Sequence, residues 1–379
     1  MENFEIIIPT IFGLEAFVSR EVRNLGYETS SVEDGRVSFF GDEKAVCRAN
    51  IGIRTGDRVL IKMAEFTAVT FDELFEGTKA IDWSRWIGKK SAFPVKGYSL
   101  KSKLASERDC QAIIKKAIAD SLSRSYGIEW FEESEEVYQI QFSILKDRVT
   151  LMIDTSGDNL HKRGYRAVSN DAPLKETIAA AMVMMSHWKY EYPLADPMCG
   201  SGTIPIEAAM IKRNIAPGLT RNFTGEKFAQ ISEKLWAECR EEAKCAIKDI
   251  PLEIYAADIN GKTVEIAKRN AEIAGVGDAV RPIVKDVADF SSAFSYGTVI
   301  CNPPYGERLG DKKECDELYR VMGRQFKALD KWSYYVITSN EDFEDNFGMK
   351  SAKKRKIYNG MLKCNIYQYF GPKPPRIEK

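Results

Sequence analysis

Short apolar runs separated by stretches of helical spacing set the pattern of the first part of the chain. Phe4 to Pro9 reads as an apolar strand, and Leu14, Phe17, Val18, Val22 and Leu25 recur behind it at helical spacing. Val37 to Phe40 predicts a second strand, Lys44 to Asn50 a short helix, and Arg58 to Phe66 an alternating strand. This opening is a small α+β unit. Further on, Ile113, Ile114, Ala117, Ile118 and Leu122 build a helix that follows Phe93-Pro94-Val95-Lys96-Gly97. Two strands, Val137 to Leu145 and Arg148 to Asp154, then meet at a Lys146-Asp147 turn.

Later in the chain the pattern changes to strands alternating with helices. Pro173 opens a helix to about Trp188, with Ile178, Met182 and Met185 on one face, a spacing that suits core packing. Pro193 to Asp196 is a short strand leading into the helix Ile204 to Lys212. After a charged helical insertion around Phe228 to Lys248, Leu252 to Ala257 and Val280 to Val284 read as strands flanking the amphipathic helix Lys262 to Ala274. Thr298 to Cys301 is a buried strand, followed by a helix near Leu318 to Leu329 and the strand Tyr334 to Ile337. Lys356 to Tyr358 and Cys364 to Phe370 pair through Asn359-Gly360, a strong hairpin signal.

The length of 379 residues allows two or three domains, and 55 basic residues balance 55 acidic ones. No global charge announces a nucleic-acid partner, so local charge matters. Eight cysteines form no CxxC pair and no Cys/His cluster, which argues against a disulfide framework or a zinc site and fits a reducing cytosol. No signal pattern opens the chain and no apolar stretch is long enough to span a bilayer; a soluble, cytoplasmic protein is expected. With only His161 and His187, a histidine base has few candidates.

The chemistry concentrates at strand ends. Asn302-Pro303-Pro304-Tyr305-Gly306 follows a buried strand, and its consecutive prolines remove two donors and force extended geometry. A side-chain amide, a free carbonyl and an aromatic ring then share one rigid rim. Two acceptors and a ring suit a planar group carrying an exocyclic amine; the bland reading is a strand end with a proline turn. Asp196 ends another strand, and Pro197-Met198-Cys199-Gly200-Ser201-Gly202-Thr203 turns into a helix. Gly200 and Gly202 permit a tight turn and close approach of a ligand. No Gly-Lys-Ser/Thr follows, so this is not a Walker loop, and the third glycine of the dinucleotide fingerprint is missing. An aspartate at that tip suits an ammonium, such as that of S-adenosylmethionine, better than a pyrophosphate. Asp258, followed by Ile259, ends the next strand, where an acid can accept from both ribose hydroxyls. Asp286 beside Val287 could hold an adenine amino group. For each aspartate alone, helix capping is the simpler explanation; three strand-tip acids with a glycine turn, in order, argue for a site.

Between Arg85 and Arg124 ten basic residues face three acidic ones, an excess of seven, interleaved with Trp86, Phe93 and Tyr98. Basic groups neutralise phosphates and aromatic rings stack on unpaired bases; a solvated helix face is the alternative. With the apolar elements around it, Val59 to Asp154 resembles the THUMP domain, an RNA-binding module, which implies that Lys96, Lys101 and Lys103 grip RNA. His161-Lys162-Arg163-Gly164-Tyr165-Arg166 is a basic loop with a glycine inside it, and Arg163 and Arg166 are added to the RNA-contacting candidates. Lys353-Lys354-Arg355-Lys356 either guards an edge strand or touches phosphate.

Asp-Pro-Met-Cys-Gly-Ser-Gly-Thr followed by Asn-Pro-Pro-Tyr resembles class I S-adenosylmethionine-dependent amino-methyltransferases. Together with the His161 to Arg166 stretch and the THUMP-like segment, nearly the whole chain resembles the THUMP-containing bacterial 23S rRNA guanine-N2 methyltransferases, members of which often carry an N6-adenine DNA methylase label. The resemblance implies an α/β fold: a class I, Rossmann-like seven-stranded sheet with an antiparallel last strand, preceded by an α+β ferredoxin-like and THUMP region. It implies a ferredoxin-like unit over 1–57, a THUMP-like domain over 58–155 and a methyltransferase domain over 160–379. Asp196, Cys199, Gly200, Ser201, Gly202 and Thr203 would line the methionine end of S-adenosylmethionine, with Asp258 and Ile259 at the ribose and Asp286 and Val287 at adenine. Asn302, Pro303, Pro304 and Tyr305 would hold the target base; Met198 stands where related motifs often have phenylalanine. The expected partner is RNA, rRNA ahead of tRNA, with no metal and no membrane. A DNA adenine-N6 methyltransferase and a non-catalytic ribosome-assembly factor are the competing readings.

Overall fold

The computed structural model describes residues 3–166, 174–306 and 312–375. The chain forms two units, each built on a seven-stranded sheet. The first unit takes Met1–Thr10, Val18–Leu160 and Arg221–Glu242. Its strands are β1 (Phe4–Pro9), β2 (Thr29–Glu33), β3 (Arg36–Gly41), β4 (Leu60–Thr67), β5 (Val95–Leu100), β6 (Ile140–Leu145) and β7 (Arg148–Asp154), in the order β2-β3-β1-β4-β7-β6-β5. All pairs are antiparallel except β5 with β6. The expected ferredoxin-like and THUMP-like segments therefore share one continuous sheet, joined where β1 pairs with β4.

Helices α1 (Glu15–Asn24), α2 (Glu43–Gly52), α3 (Phe71–Lys79) and α4 (Glu107–Tyr126) follow in the same stretch of chain. Helix α3 starts with a capping box, Thr70 and Glu73 bonding each other's backbone N–H, a signal passed over in the sequence. Strand β2 was also missed: Thr29, Ser30 and Ser31 give it no apolar run. The charged insertion behaves unexpectedly too. Residues 221–242 belong to this first unit, although they interrupt the sequence of the second. Phe228 stacks on Tyr138 with centroids 4.2 Å apart, and Gln230 donates to the Arg85 and Trp86 carbonyls. Aromatic area, which no charge count reveals, decides where that segment packs.

The second unit takes Ile11–Phe17, His161–Thr220 and Ala243–Lys379. In chain order come α5 (Glu176–Ser186), β8 (Leu194–Asp196), α6 (Thr203–Lys212) and α7 (Glu233–Cys245), most of which lies in the first unit. Then follow β9 (Ile254–Asp258), α8 (Gly261–Ile273), β10 (Ile283–Val284), β11 (Thr298–Cys301), α9 (Lys312–Lys327), β12 (Ser333–Thr338), α10 (Phe343–Phe347), β13 (Lys353–Asn359) and β14 (Leu362–Tyr369). The Pro173 start of the predicted fifth helix lies outside the described residues. Sheet order is β10-β9-β8-β11-β12-β14-β13, parallel from β10 to β12, with β14 antiparallel to both neighbours.

Successive residues of its central strands enter opposite cores. Leu194, Ile300, Tyr335 and Ile337 join the cluster under α5, α6 and α8; Ala195, Val299, Cys301, Tyr334 and Val336 join the one under α9 and α10. A sheet covered on both faces explains why these strands read as continuous apolar runs. The predicted Val280 to Val284 strand is reduced to Ile283 and Val284, since only Val280 makes an isolated bridge back to Ile254. At the opposite edge Lys354 pairs with Glu344 at 2.6 Å and Lys356 sits over Tyr358, the edge-guard role.

Candidate active site

Parallel pairing brings the chemistry to one end of the second sheet. Ala195 pairs with Val299, and Asp196 with Ala256. Carried on past the paired residues, these registers set Met198, Asp258 and Asn302 level at three adjoining strand ends. That is where ligands sit in open parallel sheets, because the loops leave together and no strand closes the crevice.

The glycine turn between β8 and α6 has a backbone that only glycine adopts without strain. Gly200 stands at φ +54° and Gly202 at φ +84°, both left-handed. A Cβ on Gly202 would lie 3.2 Å from the side chains of Ala267 and Ile206, so the turn packs directly on α8. A Cβ on Gly200 would meet nothing within 4 Å, and open space lies against this backbone. Side chains from α8 and the β9 tip help hold the loop: Gly200 N–H donates to Asp258 Oδ2 at 3.0 Å, and Asn270 Nδ2 donates to the Ser201 carbonyl at 3.0 Å. Asn270 was overlooked in the sequence. The available signal was a lone amide on the apolar face of an otherwise amphipathic helix.

Asp196 is 1% exposed and accepts from Met198 N–H at 3.3 Å. Among the described residues no cation pairs with it. Burial, and then the nearby Asp258 charge, push its carboxyl well above the ordinary range. A buried acid without a cation fits an ammonium group. Asp258 is half-buried and spends one lone pair on Gly200 and another on Asn260 N–H at 2.9 Å, which leaves acceptor capacity. Beside it Ile259 is 70% exposed, an apolar face suited to a flat ring. Asp286 caps a short 3₁₀ turn, accepting from Ala288 N–H at 2.8 Å, and Val287 is buried beneath it. Both the cap and an adenine contact are compatible, since one carboxylate oxygen suffices for each. Cys199 is buried, and burial with the Asp196 charge raises its thiol, so it is an inert part of the wall. These features fit S-adenosylmethionine along the glycine turn.

At the third strand end Tyr305 O–H donates to Asn302 Oδ1 at 2.5 Å. With that donor in place the amide presents oxygen, not nitrogen, to the hydroxyl. Tyr319 O–H donates to the Pro304 carbonyl at 2.7 Å and lies 3.1 Å from Thr338 Oγ1. The Pro304 carbonyl is thereby turned to the interior, while among the described residues no donor reaches the Pro303 carbonyl. Tyr319 lies on the apolar face of α9, where it reads as core; its hydroxyl role was not legible.

The RNA-contacting candidates divide. Lys96, Lys101 and Lys103 are exposed and make no ion pair among the described residues, and Tyr98, on the edge strand β5, is 52% exposed. Trp86 and Phe93, however, are core residues at 6% and 1% exposure, so they cannot stack on bases. Arg163 is also corrected: it is 2% exposed, and its Nε donates to Glu207 Oε1 at 3.3 Å, so its charge is neutralised inside the second unit. Arg166 is nearly buried, with its Nη2 donating to Thr203 Oγ1 at 2.6 Å. Alternation along 161–166, with Arg163 and Tyr165 inward, was hidden by the basic composition. Burial, then Lys175, Arg163, Lys162 and Arg166, lower His161 to about 4, which leaves it uncharged near neutrality. No helix of the described residues is long and apolar enough to cross a membrane.

Comparison with known proteins bears on this geometry. Residues 163–368 match the family described as UPF0020, an RMKL-like methyltransferase domain. Residues 5–60 match the RlmL ferredoxin-like domain, and residues 68–154 match the THUMP domain. A protein of Bacillus subtilis (strain 168) named as an RNA methyltransferase, YpsC, is 48% identical over 100% of this chain and 99% of its own length. The ribosomal RNA large subunit methyltransferase K/L of Psychromonas ingrahamii is 32% identical over 98% of this chain, which spans 51% of that longer protein. Among solved structures, SMU.472, named as a methyltransferase and complexed with SAH, superposes with a TM-score of 0.92 at 42% identity, covering 99% of this chain and 100% of that one.

Proposed function

The chain belongs to the THUMP-containing, RMKL-like family of S-adenosylmethionine-dependent RNA methyltransferases, and from that premise we propose that it methylates the exocyclic N2 amine of a guanine in RNA, with 23S rRNA as the target. The observation that carries this reading is the register that sets the Asn302 rim level with the glycine turn and Asp258. S-adenosylmethionine, when bound, supplies an electrophilic methyl group. Asp196 and the turn from Cys199 to Thr203 would hold its methionine end, Asp258 and Ile259 its ribose, and Asp286 with Val287 its adenine.

The chain's own residues then prepare the amine. A conjugated exocyclic nitrogen is a poor nucleophile, because its lone pair is delocalised into the ring. Asn302 Oδ1 and the Pro303 carbonyl accept its two N–H groups and draw the nitrogen toward tetrahedral geometry. The Tyr305 hydroxyl already occupies one lone pair of Asn302 Oδ1, and an amide oxygen has a second for the incoming amine. Prolines on a buried strand hold this rim still, and positioning of this kind contributes up to ~7–11 kcal/mol. The alkylated nitrogen is acidic and loses its proton to water, so no histidine base is required. An unpaired or flipped guanine has to enter, and in this reading the exposed lysines of the THUMP segment hold RNA.

Mass spectrometry of nucleosides from purified 23S rRNA of a deletion strain tests the assignment. Loss of one N2-methylguanosine, restored by the wild-type gene and not by Asn302→Ala, is the expected result. Unchanged 23S rRNA with loss of the same nucleoside from tRNA, or of N6-methyladenine from DNA, overturns it in favour of those substrates.

A further inference from the structure

The last two strands carry an apolar side chain where turn chemistry gives no reason for one. Asn359 pairs with Leu362, so the turn between β13 and β14 is Gly360-Met361. Gly360 stands at φ +66°, the left-handed backbone that opens a two-residue hairpin turn. The second turn position favours asparagine, aspartate, serine or glycine, because a short polar group stays solvated there. Met361 occupies it instead and is fully exposed, so it buries no area within the fold.

Strand register places this tip on the same end of the second sheet as the Asn302 rim. Cys301 lies beside Val336, which sets Asn302 level with Ile337 and, across β12, with Ile366. Leu362, Lys363, Cys364 and Asn365 lie past that level, so the hairpin rises about 13 Å beyond the rim. It stands two strands to one side, about 10 Å away in the plane of the sheet. One side of the projecting part is packed, with Ile357 and Cys364 in the core under α5, α6 and α8. On the other side Tyr358 is exposed opposite Lys363, and Lys356 Nζ lies 5.2 Å from its ring centre. Glu341 neutralises Lys363 at 3.2 Å, whereas Lys356 makes no ion pair among the described residues. Guarding the sheet edge accounts for Lys354 and Lys356. It does not account for a methionine at the tip.

A base amine inside a helical stack cannot reach Asn302. The base has to rotate by about 180° about its backbone, and the gap it leaves opens away from the amine, above the rim. Architectural DNA-binding proteins hold such gaps open with inserted apolar side chains, methionine among them, and a base stack in RNA presents the same surfaces. We propose that the β13–β14 hairpin is a wedge of this kind: Met361 enters the RNA stack beside the nucleotide drawn to Asn302, and Lys356 neutralises a phosphate of the same strand. Tyr358 offers its ring to the adjoining base. The inference rests on methylation of a base amine in RNA at the Asn302 rim, and not on which base is modified.

Two measurements test the wedge. In the first, the full chain carrying Met361→p-benzoylphenylalanine is expressed in a deletion strain and the cells are irradiated. An adduct destroyed by ribonuclease is expected. A ribonuclease-resistant adduct, to another protein or a second copy of this chain, overturns the proposal, as does the absence of any adduct. In the second, single-turnover methyl transfer to total RNA of the deletion strain is compared for wild type, Met361→Ser and Met361→Leu. Serine suits the turn, so S-adenosylhomocysteine affinity by calorimetry should stay within about twofold in both variants. The rate should fall roughly 10–100-fold in Met361→Ser, and the apolar Met361→Leu should recover it to within about threefold of wild type. An unchanged rate in Met361→Ser, an equal loss in both variants, or a parallel loss of cofactor-product affinity overturns the wedge. Total RNA keeps the target in the pool whichever RNA or base it is, so a wrong guanine-N2 or 23S assignment leaves both measurements readable.

Discussion

The two seven-stranded sheets use their strands in different ways. In the first, mostly antiparallel sheet, the groups offered to a partner lie along the outward side of an edge strand: Lys96, Tyr98 and Leu100 alternate with inward residues of β5. In the second, mostly parallel sheet, the strands are buried on both faces and the usable groups stand at their ends: Asp196, Asp258 and Asn302. A side-chain row along an edge can follow a long, charged polymer but cannot enclose one atom. Adjoining ends of parallel strands can enclose a small reactive group, because their loops depart from one side and packing fixes each tip. Broad holding suits the first arrangement, and enclosing a reacting group suits the second.

That contrast is sharpest at Asn302, the amide proposed to hold the target amine. Asn302→Ala should lower methyl transfer to RNA by roughly 10³-fold or more, while S-adenosylhomocysteine affinity stays within about twofold. Loss of both in parallel, measured by single-turnover assay and calorimetry, would make Asn302 a structural residue. A smaller effect is expected at the neighbouring tip. Asp258→Ala should weaken S-adenosylhomocysteine binding by roughly 10–100-fold, since it removes the proposed ribose acceptor and frees the Gly200 N–H. RNA affinity without cofactor should be unaffected, and a matching loss of RNA binding would erase the distinction between the two sheets.

The first sheet should respond in the opposite sense. Replacing Lys96, Lys101 and Lys103 together by alanine should flatten the salt dependence of RNA affinity by about two to three in log–log slope, each phosphate contact contributing about 0.7–0.9. Cofactor binding by calorimetry should not change. An unaltered slope would place the RNA elsewhere. The smallest effect concerns stability at the far edge of the second sheet. Burial alone raises Glu344, but hydrogen bonds from Lys354 and Ser351 outweigh it and hold the carboxyl at about 2, below its ordinary 4.5. A depressed carboxyl stabilises the fold above its unfolded value, and that contribution is lost as pH falls through about 2. Glu344→Gln should therefore lower the melting temperature slightly at neutral pH, by less than about 1 kcal/mol in stability, with the gap narrowing below pH 4.5. A gap that widens on acidification contradicts this assignment.

Much of the second sheet was legible from residues alone. Apolar runs of four to six residues, the glycine turn after Asp196, and Asn302 to Tyr305 are local patterns, and local patterns survive folding because buried strands and left-handed glycines tolerate few substitutes. The Asn359-Gly360 hairpin is of the same kind, with β13 and β14 paired across it. Elements whose stability is not local were lost or displaced. Strand β2 is polar and exists because β3 offers a ladder; β10 shortens because only its last residues find β9.

Composition determined that the chain holds more than one domain, that it carries basic residues between Arg85 and Arg124, and which residue types stand at the strand tips. Tertiary structure alone decided which of those charges are available. Arg163 lies inside the second unit against Glu207, Arg166 turns to Thr203, and Trp86 and Phe93 sit in the core, while Lys96 and Tyr98 stay outside. The physical reason is that a charge has the same symbol in a sequence wherever it sits, whereas desolvation makes its role depend on the partner found at burial. Partners come from residues far along the chain, and only the folded arrangement brings them together.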